Sequence, residues 1–452
     1  MAADIPVFLW ARTARTDMLL IRHKFYTERG YCLNIDKYKK NLKTEIVAGV
    51  TSFFAISYII IINPLILADA GIPVDFSIFA TIIISVIGCL LIGFWADAPL
   101  VITPGMGVNA LFTYTVVGSM GFNWREALAI SMAASIIFAF VACSRLSVFF
   151  ADNIPKSLKC GITAGIGLFL VEIGLEKGGL IVRGTNSLVA LAPLQNAALL
   201  TIFGLLLSLA LYLRKVNGCF FIAIVITSII GIVMGMDSSL PVNVDLGRLS
   251  AYGSVVWQMD FSAVLSFRFW LAVFSMAMLL IFDTMGILEG LLPNKDKFKK
   301  SFAGTSIISI LSSIFGTSPA IAAAESAAGI TSGGRGGMTA ITAGIMFFLS
   351  LFFVPFLAYV PQAAVAPVII ITGMIMLNQL KNVDFADFTE WFPAFMMVIM
   401  IPLSGSVSAG MAFGFVLFPL LKIFVGKARQ VNSLIYILGF LFLLDLFFNS
   451  SK

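Results

Sequence analysis

Charged side chains are scarce in this chain of 452 residues. Asp, Glu, Lys and Arg together make up only 12% of it, whereas 60% of the residues are hydrophobic. A soluble protein of this length needs a much more polar surface, so the composition excludes that class. Apolar runs of about 18 or more residues recur from residue 44 onward, and each is long enough to cross a hydrocarbon layer of ~30 Å. The sequence therefore predicts an all-α polytopic membrane protein.

Histidine and paired cysteines are also scarce. The single histidine, His23, lies ahead of the first apolar run, which excludes a histidine-based metal site or proton relay within the membrane. The five cysteines show no Cys-x-x-Cys spacing, so we interpret them as small apolar residues and expect no metal or other cofactor. The N-terminus lacks the apolar core and cleavage site of a signal peptide. Met18 is an alternative start to Met1, because nothing before Tyr38 indicates structure.

Positive charge is concentrated in the first 43 residues and in short loops between the apolar runs. The net charge of +6 alone would suit a nucleic-acid partner, but loops rich in Lys and Arg are those that stay in the cytoplasm. With a cytoplasmic N-terminal tail, the basic loops at 145–159, 214–215 and 295–300 all fall inside. We therefore expect membrane lipid and no nucleic acid as a partner, in a multi-pass protein of the bacterial cytoplasmic membrane.

The apolar runs divide into two sets of seven. Those of the first half are 44–69, 76–96, 99–118, 126–149, 158–176, 195–213 and 217–236. Those of the second half are 267–292, 301–316, 318–333, 337–359, 363–379, 391–402 and 404–424. The run 391–402 is too short to span alone, so we expect it to cross half the membrane and turn near 402–405. A further run, 432–448, lies either at the interface or against the bundle.

Two sets of seven predict an inverted repeat, because an odd number of spans gives the two halves opposite orientations. The predicted domains are a cytoplasmic tail (1–43), a first repeat (44–236), an external loop (237–266), a second repeat (267–424) and a C-terminal apolar extension (425–452).

Segments 3 and 10 each begin with a proline in a stretch of small residues. Before Pro104, β-branched residues favour extended backbone, so we predict an extended piece and then a helix from about Gly105. The stretch 316–329 starts in the same way and is predicted to turn helical at about Glu325. A broken segment leaves unpaired N–H groups at its half-helix start, which is tolerated at membrane depth only where it lines a cavity. The alternative is that the small residues only allow tight helix packing.

Two carboxylates fall inside apolar segments, Asp283 in segment 8 and Glu325 in segment 10. A carboxylate at the bilayer centre costs ~2.5–3.5 kcal/mol on insertion scales, so each needs a partner or a task. Neither has an obvious Lys or Arg partner, and burial disfavours the charged form, so both are candidates to load and release a proton. The alternative is a structural hydrogen bond to a neighbouring helix. Asp97, Glu172 and Glu289 lie nearer segment ends and are predicted to be solvated.

Two amides complete the polar side chains of interest. Asn63 and Pro64 are predicted to end segment 1, and Asn109 lies one turn into segment 3, where an amide offers both a donor and an acceptor. For Asn109 a structural role is as good a prediction as a binding role, and for Asn63 the structural role is the better prediction. The candidate binding set is Gly105, Asn109, Asp283, Thr284, Ser318, Glu325 and Ser326, with Asp283 and Glu325 also the candidate proton-coupling residues.

Five motifs in order resemble the nucleobase–ascorbate transporter superfamily, and most of all its azaguanine-type branch of adenine, guanine and hypoxanthine permeases. The resemblance runs from about residue 43 to residue 427. The motifs are 44–51 (TEIVAGVT), 63–64 (NP), 104–110 (PGMGVNA), 282–284 (FDT) and 316–329 (GTSPAIAAAESAAG).

The resemblance implies fourteen segments in two inverted repeats, with a core domain of segments 1–4 and 8–11 and a gate domain of segments 5–7 and 12–14. It implies a purine base bound between segments 3, 8 and 10, held by the carboxylates of segments 8 and 10. It also implies proton-coupled uptake by alternating access, driven by the proton gradient, and often a homodimer.

The chain departs from the family pattern at three places. Gly286-Ile287-Leu288 replaces the usual Gly-Thr-Leu, alanines fill 322–324 where polar or aromatic residues are usual, and 333–337 reads Gly-Gly-Arg-Gly-Gly. These changes keep the carboxylates but remove polar contacts, so the identity of the base stays open.

Other functions remain as alternatives. The same fold serves a different solute, such as xanthine, a pyrimidine base or an organic anion, although two acids without a cation count against an anion. An intramembrane enzyme lacks a histidine for its chemistry, and the paired breaks favour alternating access over a passive channel.

Overall fold

The structure is a computed structural model that describes residues 35–184, 189–236, 252–253, 256–357 and 359–450. His23 and most of the predicted external loop 237–266 fall outside the described residues. The helices of the first half are α1 (Ile35–Ile56), α2 (Ile59–Asp69), α3 (Val74–Leu91), α4 (Met106–Ala110), α5 (Trp124–Cys143), α6 (Leu146–Asn153), α7 (Lys156–Lys177), α8 (Asn196–Leu213) and α9 (Cys219–Val233).

The second half continues with nine further helices and one of the four strands. These helices are α10 (Phe267–Leu291), α11 (Phe298–Ile314), α12 (Ser326–Thr331), α13 (Gly337–Ser350), α14 (Val354–Leu357), α15 (Gln362–Leu377), α16 (Phe388–Ser404), α17 (Val407–Phe424) and α18 (Ser433–Ser450). The strands are β1 (Ile102–Pro104), β2 (Ile181–Arg183), β3 (Val189–Leu191) and β4 (Ala320–Ala322). Two π-helical stretches, Ile92–Ala96 and Leu111–Ser119, extend α3 and α4.

Nine helices in the described ranges are long and apolar enough to cross a membrane. Three shorter apolar helices accompany them, Cys219–Val233, Phe388–Ser404 and Ser433–Phe448. The prediction of an all-α polytopic membrane protein is therefore confirmed. The count of fourteen segments, their 7+7 repeat and the domain boundaries stay predictions.

The two predicted breaks are present, and they meet. Strands β1 and β4 pair antiparallel, with Ile102 opposite Ala322 and Pro104 opposite Ala320. Each strand leads into a short helix. Gly105, in extended conformation, immediately precedes α4, and Glu325 immediately precedes α12. Proline has no N–H to donate, so both pieces leave the helical ladder and satisfy their backbone groups through each other.

The helices sort into two bundles by their contacts. The core bundle consists of α2, α3, α5, α10, α11 and α13 together with β1 and β4. The gate bundle consists of α7, α8, α9, α15, α16 and α17, with α7 and α15 in the most extensive contact. This division follows the core and gate domains that the resemblance implies, and both broken segments lie in the core bundle.

Close packing in the core bundle depends on glycine. A Cβ added at Gly329 of α12 would lie 2.0 Å from Ser52 Oγ and 2.5 Å from the carbonyl oxygen of Ala48. No side chain fits at that distance, so Gly329 lets α12 lie directly on α1. The small residues of segment 10 therefore allow tight helix packing as well as the break in the helix. The two interpretations of these residues, a broken segment and close packing, both apply.

The C-terminal part follows the sequence prediction closely. Helix α16 ends at Ser404, and Gly405 takes a left-handed conformation (φ 61°) before α17 begins, as expected for a turn near 402–405. Helix α18 packs against α17 and buries Ile435, Leu438 and Phe442. Of the two alternatives for 432–448, packing against the bundle is therefore confirmed.

Two boundary predictions are wrong. Helix α2 continues through Asn63 and Pro64 as far as Asp69, because burial on all sides holds this turn despite the missing N–H of the proline. The interruption occurs earlier, between α1 and α2 at Ser57 and Tyr58, where neither glycine nor proline marks it. Helix α1 also begins at Ile35, ahead of Tyr38, before which the sequence indicated no structure.

Candidate functional site

Asp283 and Glu325 lie where α10 meets the paired strands. Glu325 is the residue immediately before α12, and it is half-buried. The fully buried Tyr58 donates its hydroxyl hydrogen to Glu325 Oε1. Asp283 is half-buried in the unbroken helix α10. Among the described residues, no Lys or Arg forms an ion pair with either carboxylate.

Asp283 faces the start of segment 3. Its Oδ2 lies 3.8 Å from the position that a Cβ would take at Gly107, and Ile166 of the gate bundle touches the same position at 3.0 Å. Helix α10 also contacts β4 and α12, the two elements on either side of Glu325, so the two carboxylates belong to one region. Because two carboxylates that repel each other are disfavoured when both are charged, this arrangement favours holding a proton or a donor group between them.

Asn109 and Ser318 form a second pair between the two broken segments. Both are fully buried, and the Ser318 hydroxyl donates to Asn109 Oδ1. The Nδ2 of Asn109 is buried without a hydrogen-bond partner. An unsatisfied buried amide is costly, so it marks a place where a polar ligand can be bound.

The other predicted site residues contact the protein itself. Ser326 Oγ accepts a hydrogen bond from the N–H of Val101 at 2.9 Å, which ties α12 to β1. A Cβ at Gly105 would lie 2.7 Å from Ile321 of β4. Thr284 is fully buried beside Asp283, and its Oγ1 has no hydrogen-bond partner. A binding role for these three residues stays a prediction.

The half-helix start of α12 differs from expectation. Its first three N–H groups, at 326–328, donate to the carbonyls of 323–325 at 3.0–3.1 Å. The prediction that this end leaves its N–H groups free is therefore wrong for those residues, because the chain enters α12 through a tight turn that already satisfies them. Within the described part of the candidate set, the buried polar atoms without a partner are Asn109 Nδ2 and Thr284 Oγ1 instead.

Open space adjoins the carboxylates. Gly286, one turn from Asp283, is exposed, and no atom outside its neighbours lies within 4 Å of a Cβ placed there. Ala324, beside Glu325, is also exposed, whereas Ala322 and Ala323 are buried. The wall next to Glu325 is thus a methyl group where the family usually places a larger side chain.

No local feature of the sequence marks Tyr58 as a site residue. It lies in the apolar run 53–62, at the interruption between α1 and α2, and its ring packs edge-to-face on Phe220 of α9 at 5.8 Å. Tyr58 therefore connects Glu325 in the core bundle to the gate bundle. Asn63 has a structural role: its Nδ2 donates to Thr81 at 2.7 Å and to Thr317 at 3.2 Å.

The charged residues near segment ends divide into two classes. Glu289 is exposed and lies 3.7 Å from Lys159, and the Asp97 side chain is 70% exposed and lies 2.8 Å from Lys297. Partial burial raises the pKa of Asp97, but the hydrogen bonds from Lys297 and the N–H of Gly337 outweigh it and hold the pKa below its usual value. Both fit the predicted solvated class.

Glu172 does not fit that class. It lies within α7, half-buried, with its Oε2 out of contact with solvent, because the helix runs on to Lys177 instead of ending near it.

The first motif, around Glu45, has a structural explanation. Glu45 Oε1 accepts hydrogen bonds from the N–H groups of Arg335 and Gly336 at 2.8 and 2.9 Å, and Thr339 donates to Oε2. Glu45 thus holds the glycine-rich turn 333–337 at the start of α13. No group of three metal-ligating side chains occurs in the part of the chain that the structure describes.

Comparison of solved structures identifies the fold. The transmembrane domain of a cyanobacterial bicarbonate transporter superposes with a TM-score of 0.60, at 16% identity, over 81% of this chain and 96% of that one. The murine anion transporter of solute carrier family 26, member A9, in an inward-facing state, gives 0.54 at 13% identity, over 84% and 68%. At such identities the likeness concerns the fold alone.

Sequence comparison identifies the family. A profile of the permease family matches residues 43–436. A nucleobase transporter of Paenibacillus larvae is 40% identical over 84% of this chain and 77% of its own length. A guanine/hypoxanthine permease of Bacillus subtilis is 34% identical over 92% and 99%, and an adenine permease of Escherichia coli is 32% identical over 90% and 93%. These relatives are permeases and not enzymes. The chain belongs to their permease family, the nucleobase–ascorbate transporters, and is a multi-pass protein of the cell membrane.

Proposed function

We propose that this protein takes up a purine nucleobase, guanine, hypoxanthine or adenine, together with protons, by alternating access. The observation that carries the proposal is that α10, which holds Asp283, contacts both β4 and α12, the two elements on either side of Glu325, and that no described Lys or Arg forms an ion pair with either acid. Such a site suits a neutral ligand with N–H donors and suits a proton, and it repels an anion. The names of the relatives support the purine class.

The hydrogen-bonding groups of the candidate site complement those along one edge of a purine. A purine offers ring N–H donors beside carbonyl or ring-nitrogen acceptors. Glu325, oriented by Tyr58, accepts from ring N–H groups, and the unpartnered Nδ2 of Asn109 donates to an acceptor of the base. Hydrogen bonds to a charged group contribute about 1.5–3 kcal/mol each, so Glu325 supplies the larger share.

Proton coupling is assigned to Asp283. It lies in a continuous helix with apolar neighbours Ile281, Phe282 and Met285, all of them buried. A carboxylate in such apolar surroundings, with no Lys or Arg ion pair among the described residues, needs a task, and taking up and releasing a proton as the site changes its access is the task assigned to Asp283. The implied homodimer and the cytoplasmic N-terminus belong to the same proposal.

Uptake in a bacterial strain that lacks its own purine transporters tests the proposal. Cells that express the protein should accumulate labelled guanine, hypoxanthine or adenine, and a protonophore should abolish the accumulation. Competition with unlabelled xanthine, uracil and an organic anion separates the alternatives, because only purines that fit the site should compete. Accumulation that persists with the protonophore would contradict proton coupling. Competition by the organic anion alone would contradict a purine base as the substrate.

A further inference from the structure

Lysines at the two ends of α7 each reach a carboxylate of the core bundle. At the C-terminal end, Lys177 Nζ lies 2.7 Å from Asp69 Oδ2, and the Tyr114 hydroxyl donates to the same oxygen at 2.7 Å. The ring of Tyr114 also packs edge-to-face on Phe169 of α7, with 5.5 Å between centroids. This end of the boundary between the bundles is therefore closed by an ion pair, a hydrogen bond and a ring contact.

The N-terminal end of α7 is looser. Lys159 Nζ lies 3.7 Å from Glu289 Oε2, which is beyond the length of a hydrogen bond. Both lysine side chains are largely buried, at 11% for Lys159 and 12% for Lys177, so neither is an ordinary solvated surface group. The two contacts join the same pair of bundles at opposite ends of one helix, but only one of them is tight.

Beyond Asp283, the exposed residues of α10 lie toward the same end of α7 at which the lysine contact is loose. From the half-buried Asp283, an exposed face runs through Gly286, Glu289 and Gly290 toward the Lys159 end. A Cβ at Gly286 or Gly290 would have nothing within 4 Å. Because residues three to four apart share a helix face, these positions form one exposed face of α10 that extends from Asp283 to the end where the lysine contact is loose.

We propose that Lys159 and Lys177 are the gating residues of this transporter, closing opposite ends of the path between the bundles in turn. Here the Lys177–Asp69–Tyr114 contact is made and the Lys159 end is open. In the other state Lys177 separates from Asp69, and Lys159 closes on Glu289. The inference rests on the proposed alternating access, and it adds the contacts that hold each state. With the predicted orientation, the closed end is the external one.

Geometry and electrostatics both support an exchange between the two contacts. The lysines are 18 residues apart on one helix, or about 27 Å, so a tilt or slide of α7 against the core bundle moves their two ends in opposite senses. Asp69 and Glu289 each lie at or near the C-terminus of a helix, where the helix dipole disfavours an anion. Each carboxylate is therefore stabilised by a lysine that approaches it, and losing one contact favours making the other.

Thiol accessibility in purified protein without substrate tests the inference. In a variant with all five native cysteines replaced by serine, Gly290→Cys places one thiol on the open face of α10. Adding Lys177→Met should lower its rate of maleimide labelling at least threefold, because α10 closes on α7. Lys159→Met is the matched control and should leave the rate unchanged or raised. The charge swap Asp69→Lys with Lys177→Asp should restore the original rate.

Each result decides the inference. A lower labelling rate cannot arise from unfolding, which exposes the thiol, and Tyr114→Phe provides a milder variant that should lower the rate in the same direction. An unchanged rate in both Lys177→Met and Tyr114→Phe, or an equal fall in Lys159→Met, would overturn the gating roles. The assay needs no purine, so a protein that shows the shift but takes up no base would refute the proposed function and leave the gate intact.

Discussion

The hydroxyl of Tyr58 donates a hydrogen bond to Oε1 of Glu325, between residues 267 positions apart in the sequence. Tyr58 stands at the interruption between α1 and α2, and Glu325 at the turn between β4 and α12. Both positions are breaks in helical structure within the apolar interior. The hydrogen bond fixes one oxygen of the carboxylate, so Tyr58 is a positioning residue for the candidate site.

Tyr58→Phe should weaken binding of the transported base by roughly tenfold. The change removes one hydrogen bond to a carboxylate, of a kind that contributes about 1.5–3 kcal/mol, and 1.4 kcal/mol corresponds to a factor of ten. Tyr252→Phe is the matched control, because the Tyr252 hydroxyl donates to the carbonyl of Phe315 at 2.6 Å, away from the site. Equilibrium binding on both purified variants makes the comparison, and an equal loss in the two would assign Tyr58 a general structural role.

Asn109→Ala and Ser318→Ala should differ in their effects. The first removes the unpartnered Nδ2 donor, whereas the second removes only the hydroxyl that orients the amide. We expect the base to bind about tenfold more weakly to Asn109→Ala and only about threefold more weakly to Ser318→Ala. Binding assays with both variants decide between a ligand contact and a structural pair, since equal losses would indicate the latter.

Gly329→Ala should destabilise the protein, whereas Gly286→Ala should not. The added methyl group would lie 2.0 Å from Ser52 Oγ in the first variant and would meet nothing within 4 Å in the second. Overpacking of a close contact costs about 1–3 kcal/mol. Thermal unfolding in detergent should show a lower Tm for Gly329→Ala alone. A Tm as high as that of the unchanged protein would mean that α12 is not held against α1.

The breaks and the acids could be predicted from sequence because their cause is local. Pro104 and Pro319 cannot complete a helical ladder, and a carboxylate within an apolar segment is costly enough to need a reason. The turn at Gly405 was predictable on the same grounds. In each case one residue type carries a physical penalty that the surrounding sequence makes visible.

The contacts around those positions could not be predicted, because they depend on tertiary packing. Nothing near Tyr58 marks the helix interruption or its hydrogen bond to Glu325. Pro64 looks like a helix end, yet burial holds the helix through it. The N–H groups of α12 were expected to be free, and the turn at 323–325 satisfies them. Sequence therefore indicates where a site lies more readily than which atoms in it remain available.

Cysteine labelling from outside intact cells tests the predicted orientation. With a cytoplasmic N-terminus, Ser250→Cys in the long loop should react with an impermeant reagent, because that loop is external. Lys297→Cys should be protected in intact cells and react only after lysis. The basic loops motivate this assignment, since Lys and Arg mark the cytoplasmic side. The opposite pattern, with Lys297→Cys reactive and Ser250→Cys protected, would invert the topology.

Glu325→Gln and Asp283→Asn should separate binding from coupling. Glu325→Gln replaces an acceptor-only oxygen with an amide N–H and weakens the bonds to the ring N–H groups, so binding should fall tenfold or more. Asp283→Asn keeps the shape and polarity of the side chain but cannot take up a proton. It should keep measurable binding and lose accumulation against a gradient, leaving only exchange or facilitated diffusion.

Binding by scintillation proximity and uptake in cells are the two measurements, and both are made on both variants. The structure places Asp283 beside Gly107 and in one region with Glu325, so removing its charge also changes the environment of Glu325. For that reason a moderate rise in affinity for Asp283→Asn agrees with the assignment, because the repulsion between the acids is gone. If Asp283→Asn still concentrates the base in a manner that a protonophore abolishes, the proton is carried elsewhere. Glu325 is the other carboxylate of the candidate set, so the two roles would then have to be exchanged.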